Sequence, residues 1–207
     1  MLVKRPVALA VLAAGLVVAG TGGAGLALTR HPVATSYPAA AVLPAPTGPI
    51  AAVPELGAVQ VSPPVALTIP SIGVQTSLVD LGLTAAGALQ VPSSTAVAGW
   101  YTGSPRPGAV GSAVIAGHID SRTGPGVFYH LSSLRPGDRV YVRRADGTLA
   151  AFRVTVVRQY LKDDFPTSVV YGAVPDAELR LITCGGTFDY ATGHYLSNTV
   201  AYAVETS

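Results

Sequence analysis

Arg139-Val-Tyr-Val-Arg-Arg144, then Ala145-Asp146-Gly147-Thr148, then Leu149-Ala-Ala-Phe-Arg-Val-Thr-Val-Val-Arg-Gln-Tyr160 decides the fold class of this chain. Both flanks alternate apolar and polar residues, the period of a strand with one buried face. Asp-Gly between two such runs predicts a two-residue type I′ hairpin turn, because both central positions need φ > 0. On the return strand Phe152, Val154 and Val156 are expected on one face. Outward from this hairpin the same signals recur. Val65 to Pro70, Val110 to Gly117, Glu178 to Thr183 and Thr199 to Val204 read as strands, with Gly and Pro marking turns between them. The one helix expected is a short one around Val127 to Leu134. Seven or eight short strands in one stretch of about 143 residues predict an all-β fold, a closed β-barrel with one or two short helices.

The rest of the chain is unlike this. Of 207 residues, 49% are hydrophobic and only 12% charged, and the excess apolarity is concentrated at the N-terminus. Lys4 and Arg5 precede Val7 to Leu28, 22 residues without a charge, and Arg30 follows. As a helix that run spans about 33 Å, the thickness of a bilayer core. Residues 1–30 are therefore expected to be a single-pass transmembrane anchor with its N-terminus inside and the remainder outside. A cleaved signal segment is the rival reading, with Ala39-Ala40-Ala41 as a small-residue cleavage site. Residues 31–64 carry eight of the 17 prolines and a single charge, Glu55, and read as a stiff extended linker. Residues 65–207 hold 13 of the 14 aromatic residues and balance ten Lys+Arg against ten Asp+Glu. The net charge of +2 arises in the first 64 residues, so it concerns membrane orientation and gives no reason to expect nucleic acid. One cysteine excludes a disulfide framework and a Cys-rich zinc site, and neither a metal nor a cofactor is implied.

That cysteine is the natural candidate for chemistry. Cys184 follows the apolar run Leu179 to Thr183 and precedes Gly185-Gly186, which predicts a thiol at a strand end on a barrel rim. His118 stands at the end of another apolar run, Ala113-Val-Ile-Ala-Gly117. Two strand ends at one rim would pair a thiol nucleophile with a proton donor and acceptor.

Ala116-Gly-His118-Ile-Asp-Ser-Arg-Thr-Gly124 and Leu181-Ile-Thr-Cys184-Gly-Gly186 resemble the active-site segments of sortases, the cysteine transpeptidases of Gram-positive cell walls. The likeness is nearest to the actinobacterial class E/F type. It extends through Ile69 to Val74, Ala98 to Tyr101, Arg135 to Asp138, Asp164 to Thr167 and Gly193 to Asn198, nearly all of residues 65–207. The resemblance implies an eight-stranded β-barrel at the cell membrane with an extracellular catalytic domain. It also implies a mechanism. Cys184 attacks the carbonyl after the Thr of a sorting-signal peptide and forms a thioacyl enzyme. An amine nucleophile such as a peptidoglycan precursor resolves it, with His118 carrying protons between the amines. The stretch from Leu161 to Asp176 would shape the substrate groove.

One position departs from the family. Sortases place an arginine about a dozen residues after the cysteine, where it stabilises the oxyanion. Here that position is Leu196, and no arginine follows Arg180. Arg122, four residues past His118, is the candidate replacement, and His194 a second. Trp100 and Thr183 are further candidates for the groove, Trp100 with core or rim packing as its competing reading. The missing arginine also leaves open a catalytically impaired sortase-fold module that binds a peptide or protein partner. Other Cys–His enzymes fit less well. L,D-transpeptidases need His and Gly just before the cysteine, where this chain has Ile182-Thr183, and papain-like hydrolases place the cysteine before the histidine.

Overall fold

The computed structural model describes residues 60–206. The anchor expected over 1–30 and most of the linker expected over 31–64 lie outside them. Among the described residues no helix is long and apolar enough to cross a membrane.

Ten strands form among the described residues, named in chain order. They are β1 (Pro64–Ile69), β2 (Val74–Leu81), β3 (Ala98–Tyr101), β4 (Gly111–Gly117), β5 (Asp120–Ser121), β6 (Gly124–Pro125), β7 (Arg139–Arg144), β8 (Leu149–Leu161), β9 (Ala177–Asp189) and β10 (His194–Glu205). Eight of them close into a barrel in the order β1-β2-β3-β4-β9-β10-β8-β7, with β7 pairing back onto β1. β5 and β6 form a separate small hairpin. Eight strands enclose an interior just wide enough for side chains to fill. Leu67, Ile69, Ile115, Phe128, Val140, Phe152, Leu179 and Leu181 fill it, each fully buried.

Three local expectations change. The β7–β8 turn is a three-residue loop, because Arg143 pairs with Leu149 and the Arg144 amide donates to the Thr148 carbonyl at 2.9 Å. Gly147 alone takes positive φ (83°), the geometry of a type I turn closed by a glycine bulge. The apolar pattern enforces it. This register sets Val142 opposite Ala150 and Val140 opposite Phe152, whereas a slip of one residue would turn one face outward. Second, Val156 does not share a face with Phe152 and Val154. The pairing of β8 with β10 shifts between Val156–Tyr202 and Val154–Ala203, leaving Thr155 as an extra residue. A bulge of this kind reverses the inside–outside alternation. Val156 and Tyr160 therefore join a second cluster on the outer face, with Val114, Val170, Ile182, Val200 and Tyr202.

Third, the helix falls elsewhere. Residues 127–134 contain only a 3-10 turn, Leu131–Ser133, while the one α-helix among the described residues, α1, is the five-residue Thr167–Tyr171. α1 belongs to the β8–β9 connection, which lies over the outer face and buries Val170 there. Its C-terminal part is tied to β4. The Gly111 amide donates to the Asp176 carbonyl at 2.9 Å, and the Ser112 hydroxyl to the Gly172 carbonyl at 3.0 Å. Covered on both faces, β4 is buried at all seven positions, which explains its unbroken run of small and apolar residues.

Phe152→Ala opens a cavity inside the barrel and should cost about 3–5 kcal/mol. Val156→Ala, at the half-buried outer face, should cost well under half of that. Urea unfolding of the two variants checks the bulge, because equal losses would place both side chains in one core.

Candidate active site

Strand pairing brings the segments that carry Cys184 and His118 to one rim. β4 and β9 run parallel, with Val114 beside Arg180 and Ala116 beside Ile182. Parallel strands end at the same rim, and side chains two residues apart share a face. Two residues beyond the last pair, His118 follows the end of β4 and Cys184 continues along β9 at the same rim, each in the alternation that faces outward. Cys184 is half-buried. It does not end its strand. β9 runs on through Gly185-Gly186 to Asp189, still paired with β10, and what stops after Ile182 is the pairing with β4. The thiol thus stands at an edge that β4 has left uncovered.

The histidine is oriented from its other side. His118 Nε2 lies 2.7 Å from the carbonyl oxygen of Pro92, in the connection between β2 and β3. A carbonyl oxygen only accepts, so Nε2 carries the proton and donates it. Nδ1 is left as the nitrogen that can take or give a proton. The backbone around His118 is closely packed. Its carbonyl accepts from the Phe128 amide at 2.9 Å, and a Cβ on Gly126 would lie 2.4 Å from that oxygen. Pro92 carried no sequence signal, because a main-chain carbonyl is present at every residue.

Asn198 on β10 pairs directly with Cys184, and Tyr160 on β8 pairs with Asn198. These two continue the row that starts with His118 and Cys184. Leu196 lies one step further along β10 on the same face and is 47% exposed. It sits opposite a bulge where Gly186 (φ 75°) and Thr187 face a single β10 residue. The position where the sortase resemblance implies an arginine therefore lies on the face of β10 that Asn198 shares, and it carries an aliphatic side chain.

The other candidates separate. Trp100 points into the barrel, is 7% exposed and donates its indole N–H to the Pro105 carbonyl at 3.2 Å. It is a core residue and not a groove residue, because strand alternation turns it inward beside Ile115. Thr183 is also inward and 4% exposed, so its hydroxyl faces away from the thiol. His194 is exposed at the start of β10, paired with Asp189, four residues before Asn198. Arg122 is exposed in the turn between β5 and β6 and forms no ion pair among the described residues. Sequence reasoning gave no role to Arg180, a buried cation on the same face as Cys184. It stands four residues back, about 13 Å at 3.3 Å per residue. Its guanidinium is engaged by Glu178 at 2.6 Å and lies over the Tyr202 ring at 4.6 Å, so it holds the wall of the site and not the thiol.

A second contact crosses the rim. The Tyr195 hydroxyl donates to the Asp120 carboxylate. This pushes the Tyr195 phenol up to about 12, with smaller contributions from burial and from the nearby Tyr129 and Cys184. The raised value means that the folded chain keeps a proton the unfolded chain has lost. The resulting stability is fully present below the unfolded value of 10.0 and is lost as pH rises through about 12. In an ultraviolet alkaline titration, Asp120→Ala should return one phenol from about 12 toward 10.0. No change in that titration would remove the bridge.

The family model for the sortase domain matches residues 67–206. Among solved structures, sortase A from Corynebacterium diphtheriae is 21% identical, with a TM-score of 0.52 over 70% of this chain. Sortase C-1 from Actinomyces oris is 22% identical (TM-score 0.52, 70% of this chain and 75% of that one). The pilus-related sortase C of Group B Streptococcus is 19% identical (TM-score 0.51, 73% and 70%). The chain covers 62% of the Corynebacterium sortase A structure. No curated protein matches it. With the barrel order and the domain match in agreement, the chain belongs to the sortase family.

Proposed function

We propose that this protein is a cysteine transpeptidase that cleaves a sorting-signal peptide after Thr and transfers the acyl group to an amine, with Cys184 as nucleophile and His118 as acid and base. The observation that supports the reading is the parallel register of β4 and β9, which runs to Ala116 and Ile182, two residues short of His118 and Cys184 on the same rim. The Cys184 thiolate attacks the Thr carbonyl carbon, and a tetrahedral oxyanion forms. As it collapses the peptide C–N bond breaks, and Nδ1–H of His118 protonates the departing amine. The incoming amine then loses its proton to Nδ1, attacks the thioester and releases the thiolate. Nε2 stays bound to the Pro92 carbonyl throughout, so the ring keeps its orientation while Nδ1 cycles. In this reading the β8–β9 connection with Phe165, Val170 and Tyr171 walls the peptide groove above Ile182 and Val200. The acceptor is a peptidoglycan precursor or similar amine. The chain is of the class E/F type, held at the outer face of the cell membrane by residues 1–30, and it anchors surface proteins to the cell wall.

Incubation with a sorting-peptide library followed by intact-mass measurement should show a covalent acyl adduct on Cys184, absent from Cys184→Ala and much reduced in His118→Ala. An active thiol that forms no adduct with any peptide would sink the transpeptidase reading and leave a peptide-binding module.

Leu196 deprives the oxyanion of the family's arginine, and a single such donor is worth about 10²–10³ in rate. Leu196→Arg should therefore accelerate adduct formation by about tenfold or more. Arg122→Ala should slow adduct formation if that loop cation serves instead, and unchanged kinetics would dismiss Arg122.

A further inference from the structure

We infer that Asp120 and Tyr195 are positioning residues, a brace across the rim that holds His118 at the distance from Cys184 the reaction needs. The inference rests on the transpeptidase reading of that pair but concerns residues the reading leaves without a role.

The sheet does not hold the pair together by itself. The last ladder pair between β4 and β9 is Ala116 with Ile182, and on its other side β4 pairs with β3 only up to Gly117. From His118 onward the chain turns away into the β5–β6 hairpin, while β9 continues beside β10. The two ends are free to splay unless something bridges them beyond the ladder. Among the described residues, one side-chain hydrogen bond joins the segment from His118 to His130 with the segment from Thr183 to Asn198, and it is Tyr195 to Asp120. Its two ends are well placed for bracing. Asp120 is two residues past His118 and opens β5. Tyr195 is three residues before Asn198, the direct partner of Cys184.

Each end is itself anchored. The Ile119 carbonyl, beside Asp120, accepts from the Gly126 amide at 2.8 Å, so Asp120 cannot swing freely. The Tyr195 ring packs edge-on against Phe188 at 5.0 Å, which fixes the direction of its hydroxyl. The hydroxyl–carboxylate bond is charge-assisted, the stronger class of side-chain hydrogen bond. Pro92 holds the His118 ring through Nε2, and the brace ties the main chain two residues past His118 to β10, so both the ring and the segment that carries it are restrained. Displacing a reacting group by about 1 Å costs about 10²-fold in rate, which sets the scale of the effect.

The test uses the full chain and two readouts. One is Cys184 alkylation by iodoacetamide across the pH range in which histidine titrates. The other is peptide adduct formation, with kcat and KM separated. Tyr195→Phe keeps the ring against Phe188 and removes only the hydroxyl. It should change the pH profile of alkylation and lower kcat by about tenfold or more with KM little altered. Asp120→Ala should do the same, and the double variant should be no worse than either single one. Asp120→Asn still offers an oxygen to Tyr195 and should retain most of the activity. If Tyr195→Phe folds poorly, Asp120→Ala breaks the same bond from the other strand. An unchanged alkylation profile in both Tyr195→Phe and Asp120→Ala, or additive losses in the double variant, would overturn the brace. If the profile changes while no peptide ever forms an adduct, the brace stands and the transpeptidase reading falls.

Discussion

The parallel pairing of β4 with β9 is the constraint from which the rest of the molecule follows. Antiparallel neighbours would send their ends to opposite rims. Parallel neighbours bring the end of β4 and the middle of β9 to the same rim and the same face. A parallel pair cannot be joined by a tight turn, so the chain between them has to make other structure. Here it makes the β5–β6 hairpin, β7, β8 and α1 before returning as β9. The barrel is closed by that excursion, and both residues of the proposed chemistry end up on one side of it.

Two irregularities then decide which side chains face the site. The extra residue at Thr155 rotates the second half of β8, sending Val156 and Tyr160 outward, where the Tyr160 hydroxyl lies 3.0 Å from that of Tyr202. The bulge at Gly186 and Thr187 lets β9 and β10 continue past Cys184 while their register shifts by one. Without the first, the outer cluster under α1 would lose its aromatic edge. Without the second, Tyr195 would stand opposite Thr187 and not opposite Phe188.

The outer face combines a dry wall with a polar rim. Arg180 is buried in that wall with Glu178 and Tyr202, an arrangement that compensates its charge locally and leaves it no reach toward the thiol. At the rim the polar contacts are the Pro92 carbonyl on His118 and the Asp120–Tyr195 bridge. Leu196 occupies the position where the sortase resemblance implies an arginine.

Much of this was legible in the residues. Apolar–polar alternation on either side of the Asp146-Gly147 turn and the apolar runs before His118 and Cys184 predict strands, because a half-buried sheet favours a period of two and a doubly buried strand requires none. Single Cys and rim His are chemically distinctive wherever they fall. Other features could not be read. β2 (Val74–Leu81) is half polar, and β3 is four residues beginning Ala-Gly, so neither carries a strand pattern. Trp100 reads equally well as core or groove until its strand's orientation is known. By itself, the sequence determined which segments extend and which residue types are available for chemistry, since both follow from local sterics and side-chain identity. Tertiary structure alone decided which nitrogen of His118 is free, which face Val156 and Trp100 take, and that Asp120 meets Tyr195 75 residues away. Those outcomes depend on strand register and on main-chain atoms common to every residue, and no local pattern encodes either.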